Sequence, residues 1–293
     1  MPCCKRCFFI QKMINFNGNI INLTLNQLHN NRAFLFGDAV FETLKVANNK
    51  ILFFEDHYFR LMSSMRILRM EIPMNFTMEF IESQITELVS HKEKAPAYRV
   101  RITVYRDSEG SYLPKNNNVG YLISASLLES PFYSISEQAY EVDLYKDFYV
   151  SKQLLSTVKS TNRALNITGS IFAHENGLQN CLLLNDAKNV VEALNGNVFM
   201  LLGEKLITPP VSEGCIGGIL RKQVLALAKK TESIQVFEQS ISPFDLQKAD
   251  ELFITNVIMG IRPVTKYRKK EFQTGLASEL SDKVNAVIKT NLL

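Results

Sequence analysis

VKSTNRALN (158–166) is the stretch on which the reading turns, taken with VVEALNGNVF (190–199) and the turn CIGGILR (215–221) that follow it in that order. A lysine amine such as Lys159 can hold an aldehyde as a Schiff base, and a carboxylate such as Glu192 can keep a pyridine nitrogen protonated. Gly217-Gly218, leading into an amphipathic run, offers a phosphate the partnerless first amides of a helix. Anchor, electron sink and handle together describe a site for pyridoxal 5'-phosphate.

Taken singly, each group has an ordinary reading: a solvated lysine, a surface acid, a loop glycine pair. Glu192 departs from it because Val190 and Val191 precede it and NVFML follows, and a charge beside such apolar strand sequence is costly unless paired. Thr255 and Asn256, at the end of ELFITN, can add donors to the phosphate or simply form a polar strand end. Arg60 shares a helix face with His57 and Ser64 at spacings of three and four, and can either neutralise a phosphate or pair with Glu55 or Asp56. His57 reads as a packing or orienting residue. No Ser-His-Asp arrangement or metal-ligand set competes with the lysine.

Outward from these motifs, the chain divides into two α+β units. The first, 13–128, opens on a hairpin at Asn17-Gly18. It continues with a strand over 39–46, a turn at Asn48-Asn49, a second strand at ILFF, helices over 55–68 and after Pro73, and strands at 98–106 and 120–128. The stretch ESPFYSISE (129–137) is predicted to be the interdomain linker. The larger cofactor-binding unit, 138–293, has strands at EVDLY, CLLLND, NVFMLL and ELFITNV, and helices over about 163–176, 218–230 and 274–290, the first capped by Gly177. Hairpin-like strand spacing argues against a doubly wound sheet. Residues 1–12 show no period and are expected to be a loose or disordered extension.

Of 293 residues, 33 are basic and 29 acidic, and their dispersal leaves no basic block to track a nucleic acid. Five cysteines, three of them at positions 3, 4 and 7, do not make a secreted disulfide framework and suit a reducing cytoplasm. Cys4 and Cys7 have C-x-x-C spacing but no second pair, so no metal is expected. No apolar run approaches the roughly 20 residues of a membrane span.

The segments FGDAVFETLKV (36–46), HYFRLMSS (57–64), VKSTNR (158–163), VVEALNGNVF (190–199), LITPPVSEGCIGGILRKQVL (206–225) and ITNVIMGIRPV (254–264) resemble, in order and separation, the class IV (fold type IV) family of pyridoxal phosphate enzymes. The resemblance implies the two-domain D-amino-acid aminotransferase-like fold and a homodimer with sites near the interface. It implies Lys159 as the Schiff-base lysine and Glu192 at the pyridine nitrogen. Around the phosphate it implies Arg60, the Gly218 turn with Ile219 and Leu220, and Thr255 or Asn256.

Within that family the departures point to a subfamily. Glu109 and Ser111 stand where D-amino-acid aminotransferases carry a carboxylate-trapping arginine and histidine. Phe41 and Arg163 stand where tyrosines are found in D-amino-acid and branched-chain aminotransferases respectively. Phenylalanine at 41, Asn-Arg after the lysine, and the ITNVIMG strand end resemble 4-amino-4-deoxychorismate lyases. The expected activity is therefore conversion of 4-amino-4-deoxychorismate to 4-aminobenzoate and pyruvate, in folate biosynthesis. The alternative is a class IV aminotransferase acting on branched-chain or other amino acids. Arg106, Arg163 and Arg262 are the candidates for binding substrate carboxylates.

Overall fold

The computed structural model describes residues 13–22 and 30–292, so the expected N-terminal extension, with Cys4 and Cys7, lies outside the described residues. Strands β1 (Met13–Phe16) and β2 (Asn19–Asn22) pair antiparallel across Asn17 and Gly18. Both turn residues have positive φ, 49° and 87°, as a type I′ turn demands. A short helix α1 (Arg32–Phe36) then leads to β3 (Ala39–Ala47), which turns at Asn48-Asn49 into β4 (Lys50–Ile51). The strand predicted for ILFF stops there: Phe53 adopts a left-handed φ of 54° and caps helix α2 (Phe54–Ile67). Glu55 and Asp56 in the first turn of α2 complement its dipole.

Helix α3 (Met78–Ser90) starts on Thr77, whose side chain accepts from the Phe80 amide, and β5 (Ala97–Arg106) and β6 (Val119–Leu128) complete a sheet in the order β2-β1-β6-β5-β3-β4. Every residue of β3 is buried: one face joins the core with α2 and α3, and on the other Arg101 and Lys159 lie over Phe41 while Tyr133 covers Lys45. Val40, Leu44 and Val46 join the helix-side core with Leu61, Met65, Ile85 and Leu88. The alternate residues Phe41, Thr43 and Lys45 therefore point to the opposite face.

The remaining elements are β7 (Glu141–Val150), α4 (Ala164–Glu175), β8 (Asn180–Asn185), β9 (Val190–Ala193), β10 (Asn197–Leu202), β11 (Lys205–Thr208), α5 (Ile219–Ala228), β12 (Gln235–Glu238), β13 (Glu251–Asn256), β14 (Gly260–Val264), β15 (Lys266–Tyr267), β16 (Lys270–Glu271) and α6 (Gly275–Leu292). They form two sheets, β12-β11-β10-β13-β14 and β16-β15-β7-β8-β9. The architecture is α+β. Parallel pairs do occur: α4 crosses between β7 and β8, and α5 between β11 and β12. β15 also runs parallel to β7, so the sheet β16-β15-β7-β8-β9 is mixed, while β12-β11-β10-β13-β14 is antiparallel apart from β11-β12. Gly177, at φ 67°, ends α4, and the Leu178 amide reaches back 2.9 Å to the Ala173 carbonyl to satisfy its last turn.

The segment 129–137 has no regular secondary structure but is fastened at Tyr133. Its backbone exchanges two 2.8 Å hydrogen bonds with the Asn285 side chain on α6, and its hydroxyl donates to the Val257 carbonyl at 2.6 Å. Among the described residues, Cys181 and Cys215 are buried free thiols, and no helix is long and apolar enough to cross a membrane.

Candidate active site

Lys159 is placed by backbone hydrogen bonds rather than by a helix. Its carbonyl accepts from the Phe41 amide at 2.8 Å, and the Thr161 amide donates to Ala39 O at 2.9 Å, so residues 159–161 lie as an extra extended segment against the start of β3. The amine hangs over the Phe41 ring, 4.5 Å from its centroid. Burial, with the Arg60 charge adding to it, brings the ammonium down to about 8.

Glu192 projects from β9, buried, with Oε2 accepting from the Ile216 amide at 3.0 Å. Burial pushes its carboxyl up, against the opposing pull of that amide and of Arg163 and Lys159. It lacks an ion-pair partner among the described residues. A cationic ring nitrogen would supply one. Both Lys159 and Glu192 line a cavity of about 470 Å³, together with Arg60, Arg163, Gly218, Ile219, Leu220, Thr255 and Asn256.

One end of this cavity fits a phosphate on three observations. Helix α5 begins at Ile219 with Gly218 as its cap, so its first amides face the cavity without intrahelical partners. A Cβ at Gly218 would collide with Asn197 Oδ1, whose side chain holds the turn through a 2.7 Å bond to Ile216 O. The Thr255 hydroxyl is buried without a hydrogen-bond partner. Asn256 differs from its neighbour: its side chain is spent on the local turn, donating to Asn195 O and accepting from the Ile258 and Met259 amides.

Arg60 reaches the same end, but the partners weighed for it from spacing, Glu55 and Asp56, are not the ones it has. It pairs with Glu42 of β3 and donates to Gly217 O at 2.8 Å. His57, as expected of an orienting residue, sits between: its Nδ1 lies 2.8 Å from Glu42 Oε2. Burial lowers the imidazole, leaving the neutral ring with Nδ1 as donor. Burial alone would push the Glu42 carboxyl up; Arg60 and His57 outweigh it and hold it at about 2.

Of the three arginines proposed for substrate carboxylates, only Arg163 is in the cavity. Its guanidinium donates to Ser160 O and Val158 O at 3.0 and 3.1 Å, beside Glu192. Arg106 is built into a different cluster, bound to Asp38, to Asn117 and to the Leu68 and Arg69 carbonyls, with Arg32 sharing Asp38. Arg262 stacks on Tyr140, 4.7 Å from its centroid, and does not line the cavity. Two arginines that were not singled out do line it, Arg99 and Arg101 of β5. Strand alternation carries the signal: in YRVRITVYR, 99 and 101 share one face and 106 lies on the other.

A family model described as amino-transferase class IV matches residues 39–267. A protein of Methanocaldococcus jannaschii named "putative branched-chain-amino-acid aminotransferase" is 28% identical over 264 residues, covering 87% of each chain. An aminodeoxychorismate lyase of Vibrio harveyi is 22% identical over 237 residues, covering 80% of this chain and 84% of its own. The solved branched-chain aminotransferase of Thermobaculum terrenum in its pyridoxal phosphate form superposes with a TM-score of 0.80 at 22% identity, covering 95% and 94% of the two chains.

Proposed function

From the premise that this chain belongs to the amino-transferase class IV family, whose members are pyridoxal phosphate enzymes, we propose that it is a lyase converting 4-amino-4-deoxychorismate to 4-aminobenzoate and pyruvate. The observation that carries this reading is Arg163. It is a cation without an ion-pair partner among the described residues, in the cavity of Lys159 and Glu192, and Phe41 rather than a tyrosine faces the lysine. A buried guanidinium beside a lysine suits a substrate that carries a carboxylate as well as an amine.

Pyridoxal phosphate, when bound, supplies a ring that accepts the electron pair released at the substrate's amine-bearing carbon. Lys159 would anchor it, Glu192 would face its nitrogen, and the α5 amides with Thr255 and Arg60 would take its phosphate. Burial already lowers the Lys159 amine to about 8 in the cofactor-free protein, far closer to neutrality than an ordinary lysine, and the freed amine would take the proton from that carbon. Breaking the ring carbon–oxygen bond then releases enolpyruvate, which is protonated to pyruvate, and the ring becomes aromatic. Arg163 holds a carboxylate while this happens.

Mixing the cofactor-loaded protein with 4-amino-4-deoxychorismate and measuring 4-aminobenzoate and pyruvate tests the reading, with Lys159→Ala as control. Equimolar products that vanish in the variant support it; no product from a yellow protein sinks it. A second reading, an aminotransferase, is favoured by the greater identity to the Methanocaldococcus protein. Its mark is release of an oxo acid from an amino acid with the amine retained.

We also propose a homodimer. Phe34, Tyr112, Leu113, Leu154 and Ile167 are large apolar side chains left exposed on one chain, more than isolated surface positions need. Sedimentation at micromolar concentration gives the mass. The two buried reduced thiols suit a cytoplasmic protein.

A further inference from the structure

The wall of the Lys159 cavity contributed by β5 carries charge that the cofactor does not need. We propose that Arg99 and Arg101 form a second carboxylate subsite, so that the site selects an amine bearing two carboxylates over one bearing a single carboxylate. This deepens the proposed function and rests on its reading of the Lys159 cavity as the reacting site.

Positions 99 and 101 point to the same face of β5, the face that β3 turns toward the cavity. Register fixes their neighbours. Arg101 lies between Thr43 of β3 and Ser124 of β6, and Arg99 between Lys45 and Ser126. None of these is acidic, so the sheet itself offers no counter-charge. Arg101 stacks on Phe41, its guanidinium carbon 3.8 Å from the ring centroid, and spends only Nε, on Thr103 Oγ1 at 3.2 Å. Among the described residues its terminal nitrogens have no hydrogen-bond partner, and Arg99 makes no side-chain hydrogen bond at all. Burial, then the neighbouring charges of Arg99 and Arg163, lowers Arg101.

The other charges of the cavity are accounted for. Arg60 is paired with Glu42, while Lys159 and Glu192 are the cofactor's own contacts. What remains is Arg99, Arg101 and Arg163, three like charges converging on one space, an arrangement that costs free energy until an anion enters. Arg163, at the floor beside Glu192, serves one carboxylate. The Phe41-stacked Arg101, with the more exposed Arg99 at the rim, serves another. A solvated basic face would account for Arg99 alone but not for Arg101, which is stacked on an aromatic ring and half-buried.

The test uses two inert probes that differ by one carboxylate, 3-(carboxymethoxy)benzoate and 3-methoxybenzoate, titrated by calorimetry into the cofactor-loaded protein. The dicarboxylate is expected to bind about tenfold tighter or more. Arg101→Gln and Arg99→Gln each narrow that ratio toward one while leaving the monocarboxylate affinity and the cofactor absorbance in place. Equal affinity for the two probes in the wild type overturns the subsite, as does an unchanged ratio in the Arg101→Gln, Arg99→Gln double variant with its cofactor band intact. The product assay separates the two readings. A dicarboxylate preference without 4-aminobenzoate formation keeps the subsite and removes the lyase; 4-aminobenzoate formation with an unchanged probe ratio in the variants keeps the lyase and removes the subsite.

Discussion

Arg60 and Glu42 meet through two hydrogen bonds, Nε to Oε1 at 2.7 Å and Nη2 to Oε2 at 2.6 Å, and the third guanidinium nitrogen holds the Gly217 carbonyl. The arginine is thereby presented to the phosphate end of the cavity in one orientation, set by a carboxylate on the neighbouring strand and by the turn that the phosphate would sit on.

That pair makes stability depend on acid. Glu42 is held at about 2, below its ordinary 4.5, so its contribution is fully present above pH 4.5 and is lost as pH falls from there toward 2. A shift of this size corresponds to about 3 kcal/mol. Glu42→Gln should lose about that much at neutral pH, since it leaves Arg60 without its partner. Urea midpoints of the two proteins, measured down the acid limb, should converge; parallel curves would count against the pair.

Lys159 gives the opposite limb. In the cofactor-free protein its amine titrates at about 8 when folded and near 10.5 when unfolded, so the unfolded chain binds more protons between those values. Stability contributed by this group therefore rises with pH from about 8 to about 10.5. Lys45 is also lowered to about 8 by burial and adds a similar slope, so the measurement is a difference. The rise in melting temperature over this window should be smaller in Lys159→Met than in the wild type.

The two adjacent glycines of the α5 turn should behave differently. Gly218→Ala drives a methyl into the Asn197 amide, whereas at Gly217 the nearest atom to a new Cβ is Val211 Cγ2 at an ordinary 3.7 Å. Gly218→Ala should weaken pyridoxal phosphate binding by about tenfold or more and Gly217→Ala by less than about threefold, read by equilibrium dialysis. Equal losses would mean that the turn, rather than the Asn197 contact, sets the site.

Thr255→Val should change sign with cofactor. Without it the variant removes an unsatisfied buried hydroxyl and should be as stable as the wild type or more so by up to about 1 kcal/mol. With it the wild type should be the more stable of the two. Melting curves of both proteins, bare and loaded, decide this.

What could be read in advance follows the range of each signal. Lys159, Glu192 and the Gly218 turn are marked by their immediate neighbours, and the structure brings them into one cavity with Ile219, Leu220 and Thr255. Glu42 left no such mark. Within FETLKV it is one more strand residue, and only the packing of α2 on β3 brings it to Arg60. Charge alone makes Arg106 and Arg262 candidates, but Arg106 lies on the face of β5 opposite Arg99 and Arg101, and Arg262 is stacked on Tyr140 outside the cavity. Strand β12 is not announced locally, because its pairing with β11 is parallel and runs through α5, whereas β11 follows β10 in an antiparallel hairpin whose turn, Gly203-Glu204, is legible in LLGEKL.

Tyr133 gives the connector between the sheets a fixed length. Its hydroxyl is tied to the carbonyl of Val257, a residue of the cavity wall, and its ring fills the place where any side chain at Gly260 would stand. Such a tether works as a gauge. Adding or removing a residue within 129–137 would pull on the wall of the Lys159 cavity itself, so a stretch without helix or strand should tolerate insertions as poorly as the catalytic loops do.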